Sequence, residues 1–360
     1  MKKIAFILYS LEGGGVERLT LHLMEGLLEK GYQVDLVVVQ MKGEYMNDIP
    51  DGIRVIHLDK PNLRASCLAI RQYLSKHKPD VLISAKDYIN LIVLLAKKLT
   101  RVPTKIIVSS HVNITEQARR LPQFNKVKRG ISIMYRFADD IVCVSKGVAD
   151  DIHQVSGVSD KKIHVIYNPI VTTELLKNGE NVVEHPWFDQ NQEVIVTVGR
   201  LHVQKDYKTL LHAFKKVNEV RPNTRLMIVG DGPEKDTLTK LTAELNLKEV
   251  VDFVGFQTNP YPYMKKADLF VLSSAWEGFG NVLIEAFAMG TTVVATDCPS
   301  GPAEILEHGR LGKLVGVGAV EEMADAILYS LDHPQPESAL KQRASTFSID
   351  NCVRAYEQLF

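Results

Sequence analysis

Short runs of apolar, mostly β-branched residues recur along the chain, separated by longer stretches in which apolar positions return every three or four residues. The short runs predict strands over 4–9, 34–39, 54–58, 81–84, 105–109, 140–144 and 164–166. After a break they resume over 194–198, 225–229, 250–254, 269–272 and 293–296. Helix-compatible stretches between them predict strand–helix–strand units and therefore parallel sheets. The pattern lapses between Pro169 and Trp187, where Asn178-Gly179 and His185-Pro186 are turn signals, so this polar stretch reads as a linker. The expected fold is α/β: two doubly wound Rossmann-like domains over 1–170 and 171–345, facing a cleft, with a final segment over 346–360. Ligands of such sheets bind beyond the carboxyl ends of the strands, which puts the expected site at that cleft.

A length of 360 residues exceeds what a single core usually supports, and 45% hydrophobic with 24% charged residues is ordinary globular composition. Met1-Lys2-Lys3 leads into six apolar residues and then Glu12, too short for a secretory leader, and no apolar run is long enough to span a bilayer. A cytoplasmic location is expected. Cys67, Cys143, Cys298 and Cys352 lie far apart with no paired spacing, which predicts neither a zinc site nor a disulfide framework.

The net charge is zero, yet residues 1–170 carry +8 and residues 171–360 carry −8. Much of the excess is local: nine basic residues between Lys97 and Arg129 face a single acid, Glu116. Leu121, Phe124 and Val127 interleave with these charges. The run reads either as a solvated helix face or as a segment that lies on anionic lipid or receives an anionic acceptor. No nucleic-acid module accompanies it, so no nucleic-acid partner is expected.

The densest chemistry lies in Ser273–Gly290, a strand end running through a glycine turn into a helix, with Glu277 and Glu285 on either side of the turn. Asn281 as N-cap would leave the N–H groups of Val282, Leu283 and Ile284 without intrahelical partners, an arrangement suited to phosphate. Carboxylates beside a phosphate site suggest hydroxyl recognition. Other motifs also fall at predicted strand ends. Gly13-Gly14-Gly15 follows the first strand, where it serves as a flexible turn or as a close backbone approach to a ligand. Gly199-Arg200-Leu201 with Lys205 brings two fixed cations to one loop, suited to a diphosphate. Gly230-Asp231-Gly232-Pro233 and Phe253-Val254-Gly255-Phe256 are strand-end turns that suit either plain packing or contact with a flat base. Gly199, Gly230 and Val254 are the expected nucleotide contacts. His111 ends a strand, as a structural histidine or a ligand contact, and Cys298–Glu304 reads as a helix entry with a bend. No Asp-any-Asp triplet occurs, so no metal site is expected, and neutralising a departing diphosphate falls to Arg200, Lys205 and the helix N-terminus.

In order and spacing, the triple glycine, Gly-Arg-Leu with Lys205, Gly-Asp-Gly-Pro, Phe-Val-Gly-Phe and Glu277 with Glu285 resemble the retaining glycosyltransferases of family four, with the GT-B fold. The similarity runs through almost the whole chain, and 347–360 looks like that family's C-terminal helix, which crosses back to the first domain. The resemblance implies that Arg200 and Lys205 bind the donor diphosphate and that Glu285 bonds the ribose. It implies that Glu277 and the backbone from Phe279 through Gly280, Asn281 and Val282 to Leu283 hold the transferred sugar and phosphates. His111 would contact the sugar, and Gly14 and Gly15 would lie close to the diphosphate. The implied chemistry retains anomeric configuration and needs no metal or other cofactor. The donor is expected to be a UDP-linked hexose or N-acetylhexosamine and the acceptor a lipid-linked saccharide of a bacterial surface polysaccharide, with peripheral attachment to the membrane. The competing readings are a nucleotide-sugar epimerase on the same fold and a non-catalytic two-domain sugar-binding protein.

Overall fold

The computed structural model describes residues 2–12, 14–189 and 192–360. The chain forms two compact units, one reaching to Pro169 and including Ile349–Phe360, the other spanning Ile170–Ser348.

The first unit is built on seven strands: β1 (Lys3–Leu8), β2 (Gln33–Val38), β3 (Arg54–His57), β4 (Val81–Ala85), β5 (Lys105–Ser110), β6 (Asp140–Cys143) and β7 (Ile163–Val165). They lie in the order β3-β2-β1-β4-β5-β6-β7 with every pairing parallel. Central strands in such a sheet are covered on both faces, which is why they read as unbroken apolar runs rather than alternating ones; all five residues of β4 are buried. The helix Gly15–Glu29 lays Leu19, Leu23, Met24 and Leu27 on this sheet. The helix Ile349–Glu357 adds Cys352, Val353 and Tyr356 to the same core. Its docking depends on Gly26, since a side chain there would run into Ile349 and Val353. Tyr32 donates from its hydroxyl to Glu357 Oε1 at 3.0 Å beside this contact.

The second unit has six parallel strands, β8 (Glu193–Val198), β9 (Thr224–Val229), β10 (Val251–Gly255), β11 (Leu269–Leu272), β12 (Val293–Thr296) and β13 (Lys313–Val315), in the order β10-β9-β8-β11-β12-β13. Ile195, Leu226, Ile228, Leu269 and Val271 meet Leu210, Phe214 and Val217 of the helix Tyr207–Val220 in its core. Among the described residues, twelve of the thirteen strands coincide with the predicted runs to within a residue or so at either end. β13 escapes the pattern because three residues, the first exposed, leave no periodicity to detect.

The stretch read as a linker folds into the second unit instead. Ile170 and Val171 both donate to the Phe347 carbonyl, at 2.9 and 3.1 Å. Thr172 caps the short helix Thr173–Asn178, and Leu175 and Val183 are buried. Polar composition misled here because the segment is fastened chiefly through its backbone. Asn259 donates to the Asn178 carbonyl at 2.9 Å and Lys266 to that of Val183 at 2.9 Å.

In each sheet the strand order reverses once, between β1 and β4 in the first unit and between β8 and β11 in the second. Chains leaving those neighbouring strands depart on opposite sides of the sheet and open a crevice at its carboxyl edge.

Candidate functional site

In the second unit the reversal brings the loop after β8 against the loop after β11. Ala275 N–H donates to the Gln204 carbonyl at 2.8 Å, Gln204 Nε2 to the Trp276 carbonyl at 2.9 Å, and Ser273 Oγ to the Lys205 carbonyl at 2.7 Å. Fastened in this way, Lys205 Nζ lies 2.6 Å from Glu277 Oε1, which also accepts from Ser274 Oγ at 2.7 Å. Glu277 is 8% exposed and Glu285, on the following helix, 6%. Removing one partner of such a buried pair strands the other charge, at a cost of about 3–5 kcal/mol. Arg200, on the same loop, is exposed and makes no hydrogen bond or ion pair among the described residues. A carboxylate, an ammonium held by it and an unengaged guanidinium thus share one loop pair.

The glycines of this edge are fixed by backbone crowding. A Cβ on Gly230 would overlap the Gly199 carbonyl oxygen, and one on Gly232 would overlap that of Leu201. Gly199 N–H donates to the Val229 carbonyl at 3.0 Å, Leu201 N–H to that of Asp231 at 2.9 Å and Gly230 N–H to that of Gly255 at 2.8 Å. Three successive strand ends are therefore laced together, with Val254 one residue before the last of these contacts.

The helix after the glycine turn begins one residue earlier than expected. Gly280, at φ 98°, is its N-cap and Asn281 its first residue. Only glycine adopts that conformation without strain, so the turn's geometry decides the cap over Asn281's side-chain preference. Leu283 N–H is consequently used, donating to the Gly280 carbonyl at 2.9 Å. Phe279 is buried, its ring edge-on to Phe347 at 5.6 Å, and its carbonyl leaves room only for glycine at Gly301. Among the described residues no group of three or more His, Cys, Asp or Glu is arranged to hold a metal ion.

In the first unit the reversal between β1 and β4 gathers a second cluster. Gly14 caps the helix that Gly15 opens. Glu17, 2% exposed, forms an ion pair with Lys86, the residue that follows β4. Lys86 stands at φ 92°, ψ 123°, a region that costs a non-glycine residue about 1–3 kcal/mol and persists only where the surroundings enforce it. His111 follows β5; its Nε2 lies 3.0 Å from Ser109 Oγ, and its Nδ1 is enclosed with no hydrogen-bond partner among the described residues. Burial, and secondarily the Lys86 cation, pushes the imidazole down to about 4. Neither Glu17 nor Lys86 carries a motif of its own in the sequence; the one signal for Lys86 is its position directly after a strand, where the glycine and Arg200/Lys205 motifs also lie.

The basic segment is less uniform than its sequence. Lys97 Nζ donates to the carbonyls of Val102 and Thr104 at 2.5 and 2.6 Å, and Lys105 pairs with Asp140 at 2.7 Å. Arg119 and Arg120 both reach Glu116, at 2.8 and 3.4 Å. Lys98 lies over the Phe137 ring, 4.0 Å from its centre, while Lys126 and Arg129 are exposed. Leu121, Phe124 and Val127 are each half-buried. No helix among the described residues is long and apolar enough to cross a membrane.

Two doubly wound units, each with a charged loop cluster at its switch point, define a GT-B-type architecture, and the chain belongs to glycosyltransferase family four. Residues 13–174 match "Glycosyltransferase Family 4" and residues 180–347 match "Glycosyl transferases group 1". A Campylobacter jejuni N-acetylgalactosamine-N,N'-diacetylbacillosaminyl-diphospho-undecaprenol 4-alpha-N-acetylgalactosaminyltransferase is 31% identical, over 96% of this chain and 94% of that protein. The Rhizobium meliloti lipopolysaccharide core biosynthesis glycosyltransferase LpsE is 26% identical, over 96% and 95%. Among solved structures, Anabaena Alr3699/HepE in complex with UDP and glucose superposes with a TM-score of 0.80 at 20% identity, covering 100% of this chain and 99% of that one.

Proposed function

We propose that this enzyme transfers a hexosyl or N-acetylhexosaminyl group from a UDP-linked donor to a lipid-linked saccharide, with retention of anomeric configuration and without a metal ion. The observation that carries the reading is the Lys205–Glu277 contact of 2.6 Å on the loop that also presents Arg200. Departure of a nucleoside diphosphate leaves negative charge on the phosphate, and fixed cations stabilise that charge without reorganising as it develops. Arg200 and Lys205 take that role. Glu277, held by Lys205 and Ser274, presents its carboxylate to the sugar, whose anomeric centre gains positive character as the bond breaks. Glu285 bonds the ribose, and His111 with Gly14 and Gly15 supplies the first unit's contacts to sugar and diphosphate. The named activities of the Campylobacter and Rhizobium relatives support a lipid-linked saccharide or lipopolysaccharide as product, and the UDP complex of the Anabaena protein supports the donor.

Peripheral attachment to an anionic membrane surface through residues 97–129 completes the reading. Its support is the exposed cations Lys126 and Arg129 on the helix Asn125–Met134, with Ile133 exposed on the same helix and Leu95 and Leu99 exposed on the helix Asp87–Lys98 and at its end.

The test is a panel of UDP-glucose, UDP-galactose, UDP-N-acetylglucosamine and UDP-N-acetylgalactosamine, with and without an undecaprenyl-diphosphate acceptor ending in N-acetylgalactosamine. Acceptor-dependent UDP release that survives chelator, with an α-linked product by NMR, is expected. Release independent of acceptor, or abolished by chelator, would refute it.

A further inference from the structure

Each unit places one lysine–glutamate pair at its switch point, and the pair in the first unit has no task in the reading above. Glu17 gives one carboxylate oxygen, Oε1, to Lys86. The other, Oε2, is enclosed and has no hydrogen-bond partner among the described residues. It lies 2.6 Å from where a Cβ on residue 14 would stand, so the glycine there is what leaves the oxygen room. Lys86 reaches Glu17 from a backbone conformation that a lysine does not adopt by preference. Lys86 occupies one oxygen, and the lone pairs of the other carboxylate oxygen accept hydrogen bonds. What complements the second oxygen is therefore a donor. The pair is neutral overall, so phosphate gains little from it, and an uncharged hydroxyl fits better.

We propose that Glu17 Oε2 accepts a hydrogen bond from a saccharide hydroxyl, with Lys86 as the positioning residue that holds the carboxylate. The proposal rests on the transferase reading. The hydroxyl belongs to the acceptor saccharide or to the transferred sugar, and kinetics separate the two.

Wild type, Glu17→Gln and Lys86→Met are compared with the UDP-sugar of the panel that the wild type uses and the N-acetylgalactosamine-terminated acceptor. Glu17→Gln keeps the shape and loses the charge. For an acceptor hydroxyl it raises the acceptor KM about 10-fold and leaves the donor KM unchanged. For a hydroxyl of the transferred sugar, an increase of the same size falls on the donor KM and shows in acceptor-free UDP release. Lys86→Met raises the same KM while kcat stays within about twofold, because the carboxylate loses the group that aims it; a merely structural pair moves the melting temperature and neither KM. Should Glu17→Gln leave both KM values within twofold of wild type, or move only the melting temperature, the proposal fails while the transferase reading stands. A wild type inactive with every donor overturns both.

Discussion

Lys205 and Glu277 are a single device, because each holds the other in place at 2.6 Å. Loss of either preorganised group is expected to lower turnover by roughly 10²- to 10³-fold. Being in contact, they should also be non-additive. The Lys205→Ala/Glu277→Ala double variant should turn over no more slowly than the poorer single variant, and steady-state UDP release measures all three. At His111 the environment fixes the protonation state. Its folded value near 4 lies below the ordinary histidine value of about 6.5. The unfolded chain therefore binds the proton more readily, so this residue's contribution to stability is complete above about pH 6.5 and is lost as pH falls towards 4. His111→Gln should flatten the decline in melting temperature between pH 6.5 and 4.5, as differential scanning fluorimetry across that range will read. A decline as steep as wild type would mean that the imidazole is not enclosed in solution.

At the scale of elements, the glycine turns after β8, β9 and β10 form an interlocked edge. Gly230→Ala would drive a methyl group into the Gly199 carbonyl, and backbone yields less readily than a side chain. A loss of about 1–3 kcal/mol is expected in urea denaturation, the scale of an overpacked core, together with reduced turnover, since the displaced loop carries Arg200. These turns also show how much the sequence disclosed. Strands were legible because buried parallel strands are continuous apolar runs, and the glycine motifs stood out because the tight turns at strand ends require that residue. The helix start at Asn281 was misplaced because side-chain preference points to asparagine as the cap, whereas the left-handed turn at Gly280 is set by packing. Glu17 and Lys86 went unseen for a different reason. They are 69 residues apart, and only the adjacency of β1 and β4 brings them together.

For the molecule as a whole, the asymmetry of charge between the two halves is the ground of the proposed membrane attachment. Lys97 and Lys105 are engaged inside the fold, so the proposed membrane attachment rests on the remaining cations. Replacing Lys126, Lys128 and Arg129 together by glutamine should weaken binding to phosphatidylglycerol vesicles by roughly 10²-fold at low salt, at about 1 kcal/mol for each charge near the surface. The difference should fade at high ionic strength. Vesicle co-sedimentation with equal binding by both proteins would assign the basic run to solvent.

The helix Ile349–Glu357, which completes the first unit's core, also sets the order of events during translation. A nascent chain has every residue of the second unit before it has the last piece of the first. Its opening sheet emerges early and waits, with the groove meant for Val353 and Tyr356 still unfilled, until that helix has been made. Domains usually mature from the N-terminus onward; here the opposite sequence is built into the connectivity. Ribosomes stalled just after Ser348 would release a protein whose second unit is finished and whose first still exposes apolar surface to chaperones and proteases.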